Sequence, residues 1–278
     1  MMAPMDTVRT FSKIRQCFLV GAPRSGTTWL QRLLQTHPQI CGGEESHFFG
    51  LYGPVLRDSP KMLESSQGRV GPLVYTQMDV IEARIRDQWF RLFSDLYANT
   101  NARCTIHLEK TPLHALWLNE IIRIFPKAPI IFLARDSRAV ASSLVHVGRT
   151  WGDYWAPKTY KEAAVLWYVC MRAVRDWRRD HPDHPFLEIR YEAAIKEPKE
   201  TVARICAFLE VDDGADVIEQ MFCKADEGKA ARRDPDGFAR LRGADGWRRD
   251  MPLYAKLVTW RYTRKMMWEM GYDCRPFG

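Results

Sequence analysis

The 278-residue sequence has no apolar run approaching the roughly 20 residues that a helix needs to cross a bilayer. Met1 to Lys13 also lacks the apolar core of a secretory signal, so a cytoplasmic protein without a membrane partner is expected. Cysteine is sparse and scattered, with seven residues at 17, 41, 104, 170, 206, 223 and 274 and no C-x-x-C. An odd count at wide spacing argues against a disulfide framework or a zinc site and fits a reducing compartment. Cys17, Cys104 and Cys170 lie in apolar runs and are expected as small core residues. The chain also lacks a concentrated basic segment. Its net charge of +7 is spread among acids, as in Arg172-Ala173-Val174-Arg175-Asp176-Trp177-Arg178-Arg179-Asp180. That pattern disfavours nucleic acid as a partner and leaves attraction for an anionic small molecule.

What is present is a core-forming composition, 46% hydrophobic, and an alternating order of strands and helices. Cys17–Val20, Cys104–Leu108, Ile130–Ala134 and Phe186–Ile189 are continuous apolar runs, as expected of parallel strands covered on both faces. A short fifth strand is expected near Gln39–Cys41. Helices are expected over Thr27–Gln35, Leu113–Phe125, Ser137–Val147, Lys161–Asp180, Pro198–Leu209 and Leu253–Met270. In the last of these, Leu257, Trp260, Met267 and Trp268 are expected to face inward. In Lys161–Asp180, the helical spacing of Ala163, Leu166, Trp167, Cys170, Val174 and Trp177 marks a packed face. The fold class read from this order is α/β: a three-layer, P-loop-like fold with a central, mainly parallel sheet of about five strands flanked by helices. No repeat or linker divides the chain, so one domain over 1–278 is expected. Segments 46–102 and 223–250 are read as insertions covering the acceptor and cofactor, the stretch 46–77 as irregular.

The most specific string is Gly21-Ala22-Pro23-Arg24-Ser25-Gly26-Thr27-Thr28-Trp29, between an apolar strand and Leu30-Gln31-Arg32-Leu33-Leu34. A glycine-bounded loop at a helix N-terminus bares backbone N–H groups and attracts an anion. Its G-x-x-x-x-G spacing is that of a nucleotide-phosphate loop, yet Thr27 stands where a nucleoside triphosphatase needs lysine. The loop is therefore expected to hold a phosphate-like group other than the β/γ-phosphates of ATP. Arg24 is its only cation.

This Pro-Arg-Ser-Gly-Thr-Thr string resembles the 5′-phosphosulfate loop of sulfotransferases that use 3′-phosphoadenosine 5′-phosphosulfate (PAPS). The resemblance implies that Arg24, Ser25, Gly26, Thr27 and Thr28 contact the cofactor. It also matches Trp29 to an aromatic that stacks on adenine. Ile130-Ile131-Phe132-Leu133-Ala134-Arg135-Asp136-Ser137 and the following residues to Ser143 look like the family's 3′-phosphate segment, which implies that Arg135 and Ser143 hold that phosphate. Arg190-Tyr191-Glu192 resembles a third family segment and places Tyr191 at the nucleotide. Arg242-Gly243, ahead of Gly246-Trp247-Arg248, is similar to the late loop that closes over the 3′-phosphate. Its altered spacing leaves Arg240, Arg242 and Arg248 as alternatives.

Gly42-Gly43-Glu44-Glu45 resembles tyrosylprotein sulfotransferases and their bacterial relatives. Glu45 follows Arg24 by twenty-one residues, the separation of the general base in that group. A carboxylate there can take the acceptor's proton as its oxygen attacks sulfur. Glu109-Lys110-Thr111-Pro112 resembles the segment whose lysine stabilises the transferring group, so Lys110 and Arg24 are implied as its counter-charges. Cytosolic sulfotransferases place a histidine base two residues past this lysine. Here Pro112 occupies that position, leaving His47, His107, His114 and His146 as secondary candidates.

The expected activity is sulfuryl transfer from PAPS, without a metal, to a hydroxyl or secondarily an amine of a small-molecule or carbohydrate acceptor. The competing readings are a P-loop small-molecule kinase and a nucleotide-binding protein without catalysis. The kinase lacks its loop lysine here, and retained Glu45 and Lys110 argue against the binding protein. A monomer or homodimer is expected. Segment 46–102 and Trp151-Gly152-Asp153-Tyr154-Trp155 are expected to build the acceptor pocket.

Overall fold

A computed structural model describes residues 5–98, 103–231 and 245–277. Five strands, β1 (Arg15–Gly21), β2 (Ile40–Cys41), β3 (Ile106–Lys110), β4 (Ile130–Ala134) and β5 (Phe186–Arg190), form one sheet in the order β2-β3-β1-β4-β5. Every neighbouring pair is parallel. The helices are α1 (Met5–Phe11), α2 (Thr27–Leu34), α3 (Phe48–Ser65), α4 (Met78–Ala98), α5 (Leu118–Ile124), α6 (Ser137–Gly148), α7 (Tyr160–Asp180), α8 (Tyr191–Lys196), α9 (Pro198–Leu209), α10 (Ala215–Ala231), α11 (Gly246–Asp250) and α12 (Leu253–Glu269).

The continuous apolar strands are explained by burial on both faces. Phe18 and Val20 of β1 join Ile130 and Phe132 of β4 in one core, roofed by Trp89 of α4, Leu144 of α6 and Trp167 of α7. Cys17 and Leu19 point the other way and join Leu108, Ile131 and Leu133 over Leu30 of α2 and Ile205 of α9. The alternation along each strand thus feeds two cores from one run. The expected α/β architecture with a central five-stranded parallel sheet is present.

Several sequence expectations are corrected. The third strand begins at Ile106 rather than Cys104, because its register pairs Ile106 with Arg15 and Lys110 with Leu19. Lys110 therefore lies within the sheet. Cys104 is joined to Cys41 in a disulfide with a Cα–Cα distance of 5.8 Å and a sequence separation of 63. The cysteine count could not disclose this bond, since only the β2–β3 pairing brings the two residues together. The expected helix Leu113–Phe125 is a 3₁₀ turn over Pro112–Leu116 followed by α5.

The stretch read as irregular contains α3, an eighteen-residue helix that carries Pro54 and Pro60 inside it. In α12 the buried residues are Ala255, Lys256, Thr259, Thr263, Met266 and Met267, whereas Leu257 and Trp268 face solvent. Small residues line the inward stripe because α12 lies close against α6 and α7, where Thr263 Oγ1 and Ser137 Oγ are 2.8 Å apart. Among the described residues no helix is long and apolar enough to cross a membrane.

Candidate active site

The strand order places the site. β1 lies between β3 and β4; the connection after β1 leads to β2 at one edge, and that after β3 leads back across to β4 on the other side. The crevice outside the carboxyl ends at such a reversal is where open α/β sheets bind ligands. The glycine loop follows β1, Glu45 lies beyond β2, Lys110 ends β3, Arg135 follows β4 and Tyr191 follows β5. Residues scattered along the sequence thus share one edge of the sheet.

The loop is shaped by two left-handed residues, Arg24 at φ 70° and Gly26 at φ 99°. For an arginine that conformation costs about 1–2 kcal/mol, and the Ser25 N–H to Ala22 carbonyl bond (3.1 Å) closes the turn around it. Gly26 caps α2 without any side-chain bond, which leaves the helix N-terminus open to a ligand. A Cβ on Gly26 would stand 2.5 Å from the Tyr191 ring. The hydroxyl of Ser25 and Nε of Arg135 are buried without a hydrogen-bond partner among the described residues. Such orphaned polar atoms fit a bound anionic group that completes their bonding.

Arg24 and Ser143 meet directly, Nε donating to Oγ at 3.1 Å. The Arg24 guanidinium also lies 5.8 Å from the Trp151 ring centroid. Arg135 donates from Nη1 to the Arg24 carbonyl (3.1 Å) and stacks its guanidinium 4.0 Å over the Tyr191 ring. Tyr191 in turn meets Trp29 edge to face, with centroids 6.2 Å apart. Arg24, Ser143, Arg135, Tyr191 and Trp29 therefore form one contiguous wall. Ser143 pairs with the loop arginine here and not with Arg135.

Glu45 and Lys110 are also brought together. Lys110 Nζ donates to Glu45 Oε1 at 2.5 Å and to Thr28 Oγ1 at 3.2 Å. The lysine side chain is 2% exposed and the glutamate 34%. The ammonium is thus held beside the loop, while its partner carboxylate remains reachable from solvent. Glu45 Oε2 lies 3.5 Å from His47 Nε2.

The other histidines are separated by their surroundings. His107 is buried between β3 and α4 and bonds Gln16 Oε1 at 2.8 Å, an oxygen that also accepts from Trp89 Nε1. Burial pulls its pKa down to about 4, outweighing the pull of Glu109 in the other direction. His114 is buried against Glu109. His146 sits on the exposed side of α6. His47 lies at the Glu45–Lys110 pair.

Glu109 was not singled out by sequence, although an acid inside the run Ile106-His107-Leu108-Glu109-Lys110 is the signal that could have found it. Its carboxylate is buried. Desolvation pushes its pKa up, but attraction to the His114 ring and hydrogen bonds from His114, Thr111 and Ser46 outweigh that and hold it at about 2.

Arg240, Arg242 and Gly243 lie outside the described residues. Arg248 pairs through Nε with Asp245 Oδ1 at 3.0 Å, and its carbonyl accepts from Lys256 Nζ at 2.6 Å. Trp247 beside it is buried and covered by the Arg138 guanidinium at 4.0 Å. Arg138 is fixed by a 2.6 Å ion pair to Asp136, so Trp247 lies next to the β4–α6 connection.

Residues 16–215, which include every described part of this edge, match the sulfotransferase family. The chain belongs to the sulfotransferase family. This family member is 25% identical over 291 residues to the nodulation protein NoeE of Sinorhizobium fredii, covering 92% of this chain and 66% of that one. It is 23% identical over 209 residues to the protein-tyrosine sulfotransferase of Drosophila melanogaster, covering 74% and 40%. The chain spans between 40% and 66% of the length of these curated relatives. Its fold is that of the sulfotransferase domain from the Synechococcus PCC 7002 olefin synthase, with a TM-score of 0.58 at 20% identity over 94% of this chain and 96% of that domain.

Proposed function

We propose that this sulfotransferase-family member moves a sulfuryl group from PAPS to an acceptor hydroxyl, with a small molecule or carbohydrate as the acceptor and an amine as the second choice. The observation that carries the proposal is the Glu45–Lys110 pair at 2.5 Å, set against Thr28 of the anion loop. One arrangement supplies an accessible carboxylate and a buried cation beside a phosphate-type cradle. Bound PAPS would supply the sulfuryl group and leave as 3′-phosphoadenosine 5′-phosphate (PAP).

The protein's own residues divide the work. The N–H groups at the start of α2, with Ser25, Thr27 and Thr28, hold the 5′-phosphate side of the cofactor. Arg135, whose buried Nε has no partner among the described residues, holds the 3′-phosphate with Ser143 and a late-loop residue, Arg242 with Gly243 being the choice. Trp29 offers a flat face to the base, and the buried Tyr191 behind it carries the Arg135 guanidinium at the nucleotide. Lys110 and Arg24 face the charge that develops on the oxygens of the transferring group. Glu45 takes the acceptor proton, through the oxygen not committed to Lys110. Tyr154 and Trp155 are exposed beside Trp151 and offer apolar faces to an acceptor's aromatic or sugar body.

Calorimetry with PAP and ADP tests the cofactor half, without added metal. Tighter binding of PAP is expected, and equal or tighter binding of Mg-ATP overturns the reading in favour of a kinase. A screen of phenols, tyrosyl peptides and sugars with sulfur-labelled PAPS tests the acceptor half.

A further inference from the structure

We infer that Glu109, which does not face the crevice, is a positioning residue that sets where Glu45 stands relative to Lys110. The inference rests on Glu45 and Lys110 acting as proposed above. It starts from two adjacent pairs. Glu109 and Lys110 are consecutive at the end of β3, and Glu45 and Ser46 are consecutive ahead of α3. Lys110 holds Glu45 at 2.5 Å, and Glu109 holds the Ser46 hydroxyl at 2.7 Å. The two segments are thus joined by two neighbouring rungs, one in the crevice and one in the core.

The buried rung does more than tether Ser46. Helix α3 begins with His47 as its cap residue at φ 51°, and no side chain of its own caps it. Its first N–H groups need outside partners. The His47 N–H donates to Thr111 Oγ1 at 3.2 Å, and the Phe48 N–H to Ser46 Oγ at 3.2 Å. The Phe49 N–H donates to His114 Nε2 at 3.2 Å. All three acceptors converge on Glu109. Thr111 Oγ1 and Ser46 Oγ each donate their single proton to Glu109 Oε1, at 2.6 and 2.7 Å. His114 Nδ1 lies 2.8 Å from Oε2. Because Nε2 accepts from a backbone N–H, the His114 proton resides on Nδ1 and is donated to Glu109. One carboxylate therefore orients three groups so that each presents a lone pair to the start of α3.

A carboxylate is needed because both of its edges face donors. A glutamine has one acceptor edge and one donor edge, so it fails at Ser46 and Thr111 or at His114. In Glu109→Gln the start of α3 loses part of its cap, and Glu45, one residue before Ser46, loses its fixed place. Glu109 remains charged across the neutral range, since its pKa is held at about 2.

The test compares the wild-type chain with Glu109→Gln and Glu45→Gln. Amide hydrogen exchange at residues 46–49 should quicken about tenfold or more in Glu109→Gln, with the amides of β1 and β4 unchanged. The ¹⁵N resonance of the Lys110 ammonium, visible while it is buried and paired, should broaden or shift in Glu109→Gln as it does in Glu45→Gln. A group that merely filled the core would leave that resonance in place. An unmoved ammonium signal in Glu109→Gln overturns the inference, whatever the exchange at 46–49, and so does wild-type exchange at 46–49. Calorimetric affinity for PAP should stay within about twofold, because the anion loop is untouched. With an acceptor from the screen, kcat should fall while KM for PAPS holds. Retained turnover in Glu45→Gln refutes the base assignment alone, because the exchange and ammonium readouts do not depend on turnover.

Discussion

Arg24 and Ser143, 119 residues apart in sequence, share a 3.1 Å hydrogen bond across the mouth of the crevice. The contact ties the glycine loop to α6. Arg24 makes it from a left-handed backbone, at φ 70°.

Ser143→Ala is expected to weaken PAP binding about tenfold or more, the value of one hydrogen bond to a charged group. ADP, which lacks the 3′-phosphate, should lose much less. Calorimetry with both nucleotides checks this. An equal loss for both would assign Ser143 to the support of Arg24 and remove it from the 3′-phosphate.

Glu45→Gln should leave PAP affinity near wild type while turnover falls by about 100-fold or more, the range expected for losing a general base. Rapid-quench assays with labelled PAPS measure the chemical step. If turnover survives, His47 is the remaining side chain at that position, 3.5 Å from Glu45.

Gly26→Ala places a Cβ 2.5 Å from two carbons of the Tyr191 ring, on a backbone with φ 99°. Urea unfolding should show a loss of about 2 kcal/mol or more, combining backbone strain with the clash. In a Tyr191→Ala background, which itself loses a buried ring, Gly26→Ala should cost only the backbone contribution of about 1 kcal/mol. No cost of Gly26→Ala in that background would contradict the backbone contribution.

His107 predicts a pH dependence. Its pKa is about 4 in the fold against an ordinary 6.5, so the unfolded chain binds its proton first as pH falls. Its contribution is fully present above pH 6.5 and is lost as pH drops toward about 4, a total of about 3 kcal/mol. Urea unfolding at pH 7 and pH 4.5 should show a smaller pH-dependent loss in His107→Gln than in wild type. Identical losses would show that the folded protein accommodates the charged ring. Glu109 acts in a lower window: its stabilisation is intact above pH 4.5 and disappears as pH falls toward about 2.

The parallel sheet was legible because apolar runs with helical spacing between them admit few other arrangements. The crevice was legible because its residues sit in short strings at strand ends, where local spacing and spatial position coincide. Arg24 meeting Ser143 was not, because no local spacing links residues 119 apart in sequence. The Cys41–Cys104 bond and the Glu109 network were hidden for a related reason. Each joins the β2–α3 connection to β3 through sheet pairing, and no local periodicity encodes which strands become neighbours. Trp268 and Leu257 misled because a close helix contact prefers alanine and threonine, leaving the larger side chains outside.

The cystine has a topological consequence. Cys41 ends β2, Cys104 precedes β3, and the chain between them carries α3 and α4. That whole excursion is a covalent ring whose two ends are fastened at a single point on the sheet. Residues can be added to or removed from the ring without changing the separation of its ends. The length of α3 and α4 can therefore change while β2 and the start of β3 keep their spacing.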